Sequence, residues 1–274
     1  MQSTAISISS QDYHPQQYVD CRQIYLPSKQ ETLRLFQVYF EYVGWYQNII
    51  HEPHARDMIE DVYHQVVHVS TTTAPRGLAL ILSVIALSVV FEPLDEDLVA
   101  CLPNLKERLK KSALYLRMAT DCMEMHDRRM NHSLESVQAM IVLQFLVNHI
   151  EAFSSRCRAL LTDAIRVAYS LGLHLIDSTA TQRNPSRNER DPTQHEIKRR
   201  VWWYLTATDW LVSLAEGRVF PCYRFDWAAD STKSPSMPST SFSLNTLHAK
   251  SLGILMTTTS VTLKSMIARY RNQL

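Results

Sequence analysis

The run Leu78-Ala-Leu-Ile-Leu-Ser-Val-Ile-Ala-Leu-Ser-Val-Val-Phe91 is apolar all round and stops at Glu92-Pro93. It falls short of the ~20 residues that a membrane-spanning helix requires. It is too long for an ordinary strand, so it predicts a helix from about Pro75 to Phe91 buried on nearly all sides. A helix of that kind has no solvent face and must be walled in by others. The rest of the chain has to supply those walls, and its glycine content favours helices for the purpose. Only five of 274 residues are glycine, which argues against phosphate-cradling loops, dinucleotide-binding turns and barrels rich in tight turns. The expected fold class is all-α: a multi-helix bundle or superhelical array of antiparallel helix pairs.

The flanking segments fit this expectation. Residues 1–27 read as a polar N-terminal segment without periodicity, and strand-like alternation is scarce throughout. Pro27-Ser28 then opens a helix with Ser28 as N-cap and Glu31 at the capping-box position. Leu33, Phe36, Val38, Tyr39, Phe40, Val43 and Trp45 follow at a density suited to packing between helices. Pro53 ends or turns that unit, and a helix from about Ala55 to His68 comes next. The acidic trio Asp95-Glu96-Asp97 suits a helix N-terminus, ahead of a helical pattern over 104–126.

The clearest pair begins at Ser133, a predicted N-cap, and runs to about His149. Its partner spans about Ser155 to Leu171 and is closed by Gly172, with Leu173 placed for the hydrophobic contact of a Schellman motif. The two form an αα-hairpin. Residues 178–193 read as a surface loop. A further helix starts near Thr193, carries Glu196 and Arg200 four apart in the favourable order, and is closed by Gly217. Residues 231–243 form a Ser/Thr/Pro linker before a C-terminal helix over 244–274.

Charge excludes one class of partner. Lys and Arg number 28 against 27 Asp and Glu, a balance of +1, so no global basic field draws the chain to nucleic acid or anionic membrane. The first hundred residues hold 5 basic and 12 acidic side chains, and the excess of bases in the remainder alternates with acids and core positions as on solvated helix faces. Cysteines stand at 21, 101, 122, 157 and 222. None belongs to a closely spaced pair, so neither a zinc cluster nor a thiol redox motif is expected; reduced, buried thiols inside a cell are. The N-terminus has no basic and apolar leader pattern, so secretion is not indicated.

Three constellations carry little chemistry. His64 and His68 share a helix face with Asp61 one turn earlier, but Gln65 stands where a metalloprotease needs its glutamate; two solvent-facing polar positions are expected. His51-Glu-Pro-His54 reads as a chain turn. Arg199-Arg200 beside Trp202-Trp203 cannot form one flat nucleic-acid platform, because consecutive helical residues point about 100° apart. The tryptophans are expected in the core or an interhelical groove, with one arginine paired to Glu196. No catalytic, cofactor or metal residues are assigned, and no enzyme motif is found.

Taken in order, Ser133-Leu-Glu-Ser-Val-Gln-Ala-Met-Ile-Val-Leu, Arg158 with Ala164-Ile-Arg-Val-Ala-Tyr-Ser-Leu-Gly-Leu-His174, and Glu196-Ile-Lys-Arg-Arg-Val-Trp-Trp203 with Asp209 and Gly217-Arg218 resemble the fungal-specific transcription factor domain. Tyr39-Phe-Glu-Tyr-Val and Ile50-His-Glu-Pro53 resemble its opening helix and His-x-Pro turn. The resemblance covers about 28–228, and the regulatory domain is placed at 28–230. It implies the regulatory middle region of zinc-binuclear-cluster activators and repressors. The six paired cysteines of that family's DNA reader are lacking here, Val219-Phe220 precede Pro221 where the family has proline at once, and the C-terminus is short for the family. Leu171, Gly172, Glu196, Arg199, Arg200, Trp202, Trp203, Asp209, Gly217 and Arg218 would be signature residues that pack and pair the helices. The implied function is a nuclear or cytoplasmic regulator of a biosynthetic pathway without direct DNA binding or membrane attachment. Its partner would be a full-length zinc-cluster factor or a second copy, and a small metabolite a ligand. The alternative is an enzyme or small-molecule carrier on the same scaffold.

Overall fold

The computed structural model describes residues 4–9, 21–68, 75–92, 98–128, 132–152, 154–176 and 191–216. Ser28 opens α1 (Lys29–Tyr39), its side chain accepting the Glu31 backbone N–H at 3.3 Å. The Glu31 carboxylate turns to Arg34, accepting its guanidinium at 2.9 and 3.0 Å. The chain then widens into a π-helical turn over Phe40–Gly44 and tightens again in the short α2 (Trp45–Gln47). Asn48 stops it in the left-handed region (φ 48), its N–H donating to Gly44 O at 2.8 Å. Asparagine tolerates that conformation better than most non-glycine residues.

Helix α3 (Glu52–His68) carries Pro53 in its first turn. The sequence expectation that Pro53 ends a unit or makes a turn is corrected here: proline's missing N–H costs nothing in the first turn, where that donor has no intrahelical acceptor. Gly77, at φ 85, is the N-cap of α4 (Leu78–Phe91). Every residue from Leu78 to Val90 is buried, as the apolar run requires, and α4 packs against α1, α5 (Leu98–Arg128) and α6 (Leu134–Glu151). Full burial of each Leu, Ile or Val in it is worth roughly 1.5–3 kcal/mol. Ser83 donates to Ala79 O at 2.7 Å and Ser112 of α5 donates to Ala86 O at 2.7 Å, whereas the buried Ser88 Oγ has no hydrogen-bond partner.

The predicted hairpin is present. Ser133 caps α6 by accepting the Ser136 N–H, and Ser154 caps α7 (Ser155–Ser170) by accepting the Cys157 N–H. Gly172 sits at φ 71 and donates its N–H to Tyr169 O at 3.0 Å, one of the two bonds of a Schellman closure, with Leu173 buried beneath it. A short 3₁₀ turn (Leu173–Leu175) follows, and α8 (Pro192–Glu216) completes the described helices.

The stretch 1–27 is not featureless. β1 (Thr4–Ser9) and β2 (Cys21–Leu26) pair antiparallel with Ile6 opposite Ile24. Ile24 and Leu26 enter the core, and the Tyr25 N–H reaches Met118 Sδ at 3.4 Å. The period-2 pattern there is short and set among polar residues. Among the described residues no helix is long and apolar enough to cross a membrane. The expected 231–243 linker, the 244–274 helix and the Asp95–Asp97 trio lie outside the described residues, as do Gly217 and Arg218.

Candidate functional site

The residues singled out by sequence converge on α8 and on what it touches. Asp191 starts the helix, its carboxylate accepting the Thr193 N–H at 2.9 Å. One turn in, Glu196 gathers both arginines: one carboxylate oxygen accepts from Arg199 at 2.7 and 2.8 Å, the other from Arg200 at 2.9 Å. The expected pairing of one arginine is thus a pairing of two. Burial pushes the Glu196 carboxyl up, but the hydrogen bonds and charges of Arg200 and Arg199 outweigh it and hold the group below its usual value. The other arm of Arg200 leaves the helix and donates to Asn48 Oδ1 at 2.9 Å. α8 is thereby latched to the left-handed turn that closes α2.

Val201, Trp202, Tyr204, Leu205 and Val212 are buried on the inner side of α8. Trp202 meets Tyr169 edge-on at 5.3 Å and lies 6.0 Å from the ring of His174, while Tyr169 and His174 are 4.7 Å apart. The left-handed Gly172 makes this cluster reachable by turning the chain from α7 so that His174 faces Tyr169. Leu171, half-buried, donates its N–H to Val167 O at 3.0 Å in the same closure. Trp203, at 37% exposure, lies outside the buried core that holds Trp202. Its place one position on from Trp202 swings it some 100° round the helix. Asp209 is buried further along α8.

Behind the latch lies a polar interior that sequence reasoning missed. Tyr39 donates to Gln47 Oε1 at 2.9 Å, and Gln138 Nε2 donates to Ile49 O at 2.6 Å. Gln144 Nε2 approaches Cys157 Sγ at 3.3 Å. Tyr204 projects into this region from α8, and Thr208 donates to its backbone oxygen at 2.8 Å. Burial pushes the phenols of Tyr39, Tyr46 and Tyr204 well up, so all three stay protonated. Asn48 had a readable signal, since Asn after a helical stretch suits a left-handed cap. The buried glutamines had none, because a polar side chain at helical spacing reads as a solvent position.

The junction ties α1, α2, α6, α7 and α8 together through hydrogen bonds, ion pairs and ring contacts. Phenols, carboxamides and a thiol held this way position helices. A groove between α1 and α3, with Leu33, Phe36 and Ile59 in its floor and Gln37, Glu52 and Arg56 at its rim, is open to solvent and leaves a cavity of only about 10 Å³. Ligand pockets occupy roughly 300–1,000 Å³. His64 is exposed on α3, and among the described residues no group of three or more His, Cys, Asp or Glu could hold a metal.

Comparison with known proteins places these features in a wider set. The model for the fungal specific transcription factor domain matches residues 36–267. The chain is 33% identical over 225 residues to the probable transcription factor lepB of Aspergillus flavus, covering 78% of this chain and 38% of that protein. It is 30% identical over 195 residues to the agnestins biosynthesis cluster transcription factor AgnL11 of Paecilomyces divaricatus, covering 70% of this chain and 28% of that one. With transcription factor TAS2 of Pyricularia oryzae it shares 29% identity over 184 residues, 59% of this chain and 23% of that one. The chain therefore spans less than two-fifths of the length of these relatives. No solved structure matches it.

Proposed function

Because this chain belongs to the fungal specific transcription factor domain family, we propose that it is the regulatory body of a transcriptional regulator controlling a fungal biosynthetic gene cluster. The observation that carries the reading is the family match from 36 to 267, which takes in the whole α8 junction. The gene-cluster part rests on the relative from Paecilomyces divaricatus, whose own name states such a role. In this reading the protein works in the nucleus, without catalysis. It contacts a full-length zinc-cluster factor or a second copy of itself rather than DNA. Within these 274 residues no two cysteines are closely paired and the charge balance is +1, which supports contacts of this stretch with protein rather than with DNA.

A titration of the 274-residue chain against duplex DNA tests the absence of direct DNA contact. Binding should be weak with a shallow salt dependence; tight binding that falls steeply with salt would contradict it, since each phosphate contact adds to the slope.

A further inference from the structure

Helix α5 turns one stripe to solvent. Lys106, Lys110, Leu114, Arg117 and Glu124 are exposed and Asp121 is partly so, and their spacings hold them within about 100° of one another around the helix axis. Tyr115 and Cys122, on the opposite side, are buried. Leu114 is a large apolar side chain at 50% exposure in the middle of this charged surface.

The charges on the stripe are sorted by sign. Its first half carries Lys106, Lys110 and Arg117, and its second half Asp121 and Glu124. Opposite charges alternating at three- and four-residue spacing would steady the helix itself, whereas Lys106 and Lys110, four apart, repel one another, as do Asp121 and Glu124, three apart. The basic side chains find no relief within the fold: Lys106, Lys110 and Arg117 form no ion pair with any other described residue. Glu107, the acid among them, stands at the edge of the stripe and pairs with neither lysine. Arg108, on the inner flank, is by contrast bonded to Glu92 O at 2.6 Å and faces its carboxylate at 3.7 Å. A purely acidic ligand would suit the first half of the stripe and be repelled by the second. A surface that matches both halves has the same two blocks in reverse order, and the stripe itself is such a surface when turned end for end.

We propose that α5 is a self-complementary face on which a second copy of this chain docks, the two α5 helices lying antiparallel about a two-fold axis. The sequence positions fit one axis: the pair Lys106 with Glu124 and the pair Lys110 with Asp121 are both centred at Tyr115–Leu116, so one rotation sets each lysine opposite an acid of the other copy. Near the axis, Ala113 and Leu114 of each copy meet the aliphatic stem of the other's Arg117. A parallel arrangement would set like charges on like. The face is narrow and its ion pairs are solvated, so the dimer is weak and sensitive to salt. This deepens the regulatory reading by placing its second-copy contact on α5; association of the purified chain is measured without reference to any target gene, so either can fail alone.

Sedimentation velocity on the 274-residue chain over a concentration series tests this with two variants, Lys106→Glu/Lys110→Glu and Asp121→Lys/Glu124→Lys. The parent should dimerise at low salt. Each variant alone should lose dimerisation by on the order of tenfold or more, because it sets like charges on like, and an equal mixture of the two should regain it, because each then meets its opposite. A parent that stays monomeric, variants that dimerise as the parent does, or a mixture of two helical variants that stays monomeric would overturn the proposal. Circular dichroism checks that both variants keep their helix content. Should either lose it, the parent's salt series decides: its dissociation constant should rise on the order of tenfold between low and high salt, and a constant that stays level or falls would overturn the α5 contact.

Discussion

Arg200 donates to Asn48 across 152 residues of chain, at 2.9 Å, while its Nε is held by Glu196. The bond joins the last described helix to the left-handed turn that closes α2, so it reports whether α8 is docked. Because the Arg200 side chain is 43% exposed, Arg200→Ala should cost only about 0.5–1 kcal/mol. Lysine, which cannot bridge two acceptors with a planar fork, should recover little of it. Asn48→Gly, which keeps the backbone comfortable, should be non-additive with Arg200→Ala in a double-mutant cycle read by urea unfolding.

The two adjacent tryptophans should behave as opposites. Trp202→Ala removes a buried ring from the Tyr169–His174 cluster and should cost ~3–5 kcal/mol. Trp203→Ala, at the surface, should fall within about 1 kcal/mol of the parent. Equal losses in denaturant midpoints would mean that Trp203 is packed against something that hides it.

Two left-handed glycines should also separate. An added Cβ at Gly172 meets nothing within 4 Å, so Gly172→Ala should cost only the ~1–2 kcal/mol of the left-handed conformation. At Gly77 the same atom would lie 2.6 Å from Met58 Cγ and Sδ. Gly77→Ala should therefore lose more, and Met58→Ala should relieve part of that extra loss in the double variant.

The carboxylates predict a pH response. In Glu31 the hydrogen bond from Arg34 lowers the pKa against burial; in Glu196 burial raises it but the two arginines prevail. A group whose folded pKa is lowered adds stability that is present above its unfolded value and lost as pH falls through its folded value. Thermal stability should accordingly decline as pH drops below about 4.5, the ordinary glutamate value. Glu196→Gln should make that decline shallower while leaving the protein less stable at neutral pH. Both carboxylates are partly exposed to solvent, which screens their ion pairs, so the changes should be small.

What could be read from sequence follows from which forces leave a local mark. Ser28, Ser133 and Gly172 cap their helices as expected because capping involves only near neighbours. The run 78–91 announced a buried helix because nothing but burial tolerates it. Ile24 and Leu26 went unnoticed as strand residues because their two-residue period is short and interrupted. The π turn at 40–44 leaves no period at all. The α8 junction was half legible: Glu196, Arg200 and Trp202 stood out by type, whereas Tyr39, Gln47 and Gln144 owe their role to partners on neighbouring helices, 8 and 13 residues away, that no local pattern marks.

The central claim is regulatory, and deletion of the gene tests it most directly when transcripts and metabolites are measured in the same cultures. The account predicts a coordinated change in transcripts across a contiguous set of biosynthetic genes, with the pathway's product rising or falling as a whole. Normal transcripts together with one accumulated intermediate would contradict it and point to an enzyme or carrier instead.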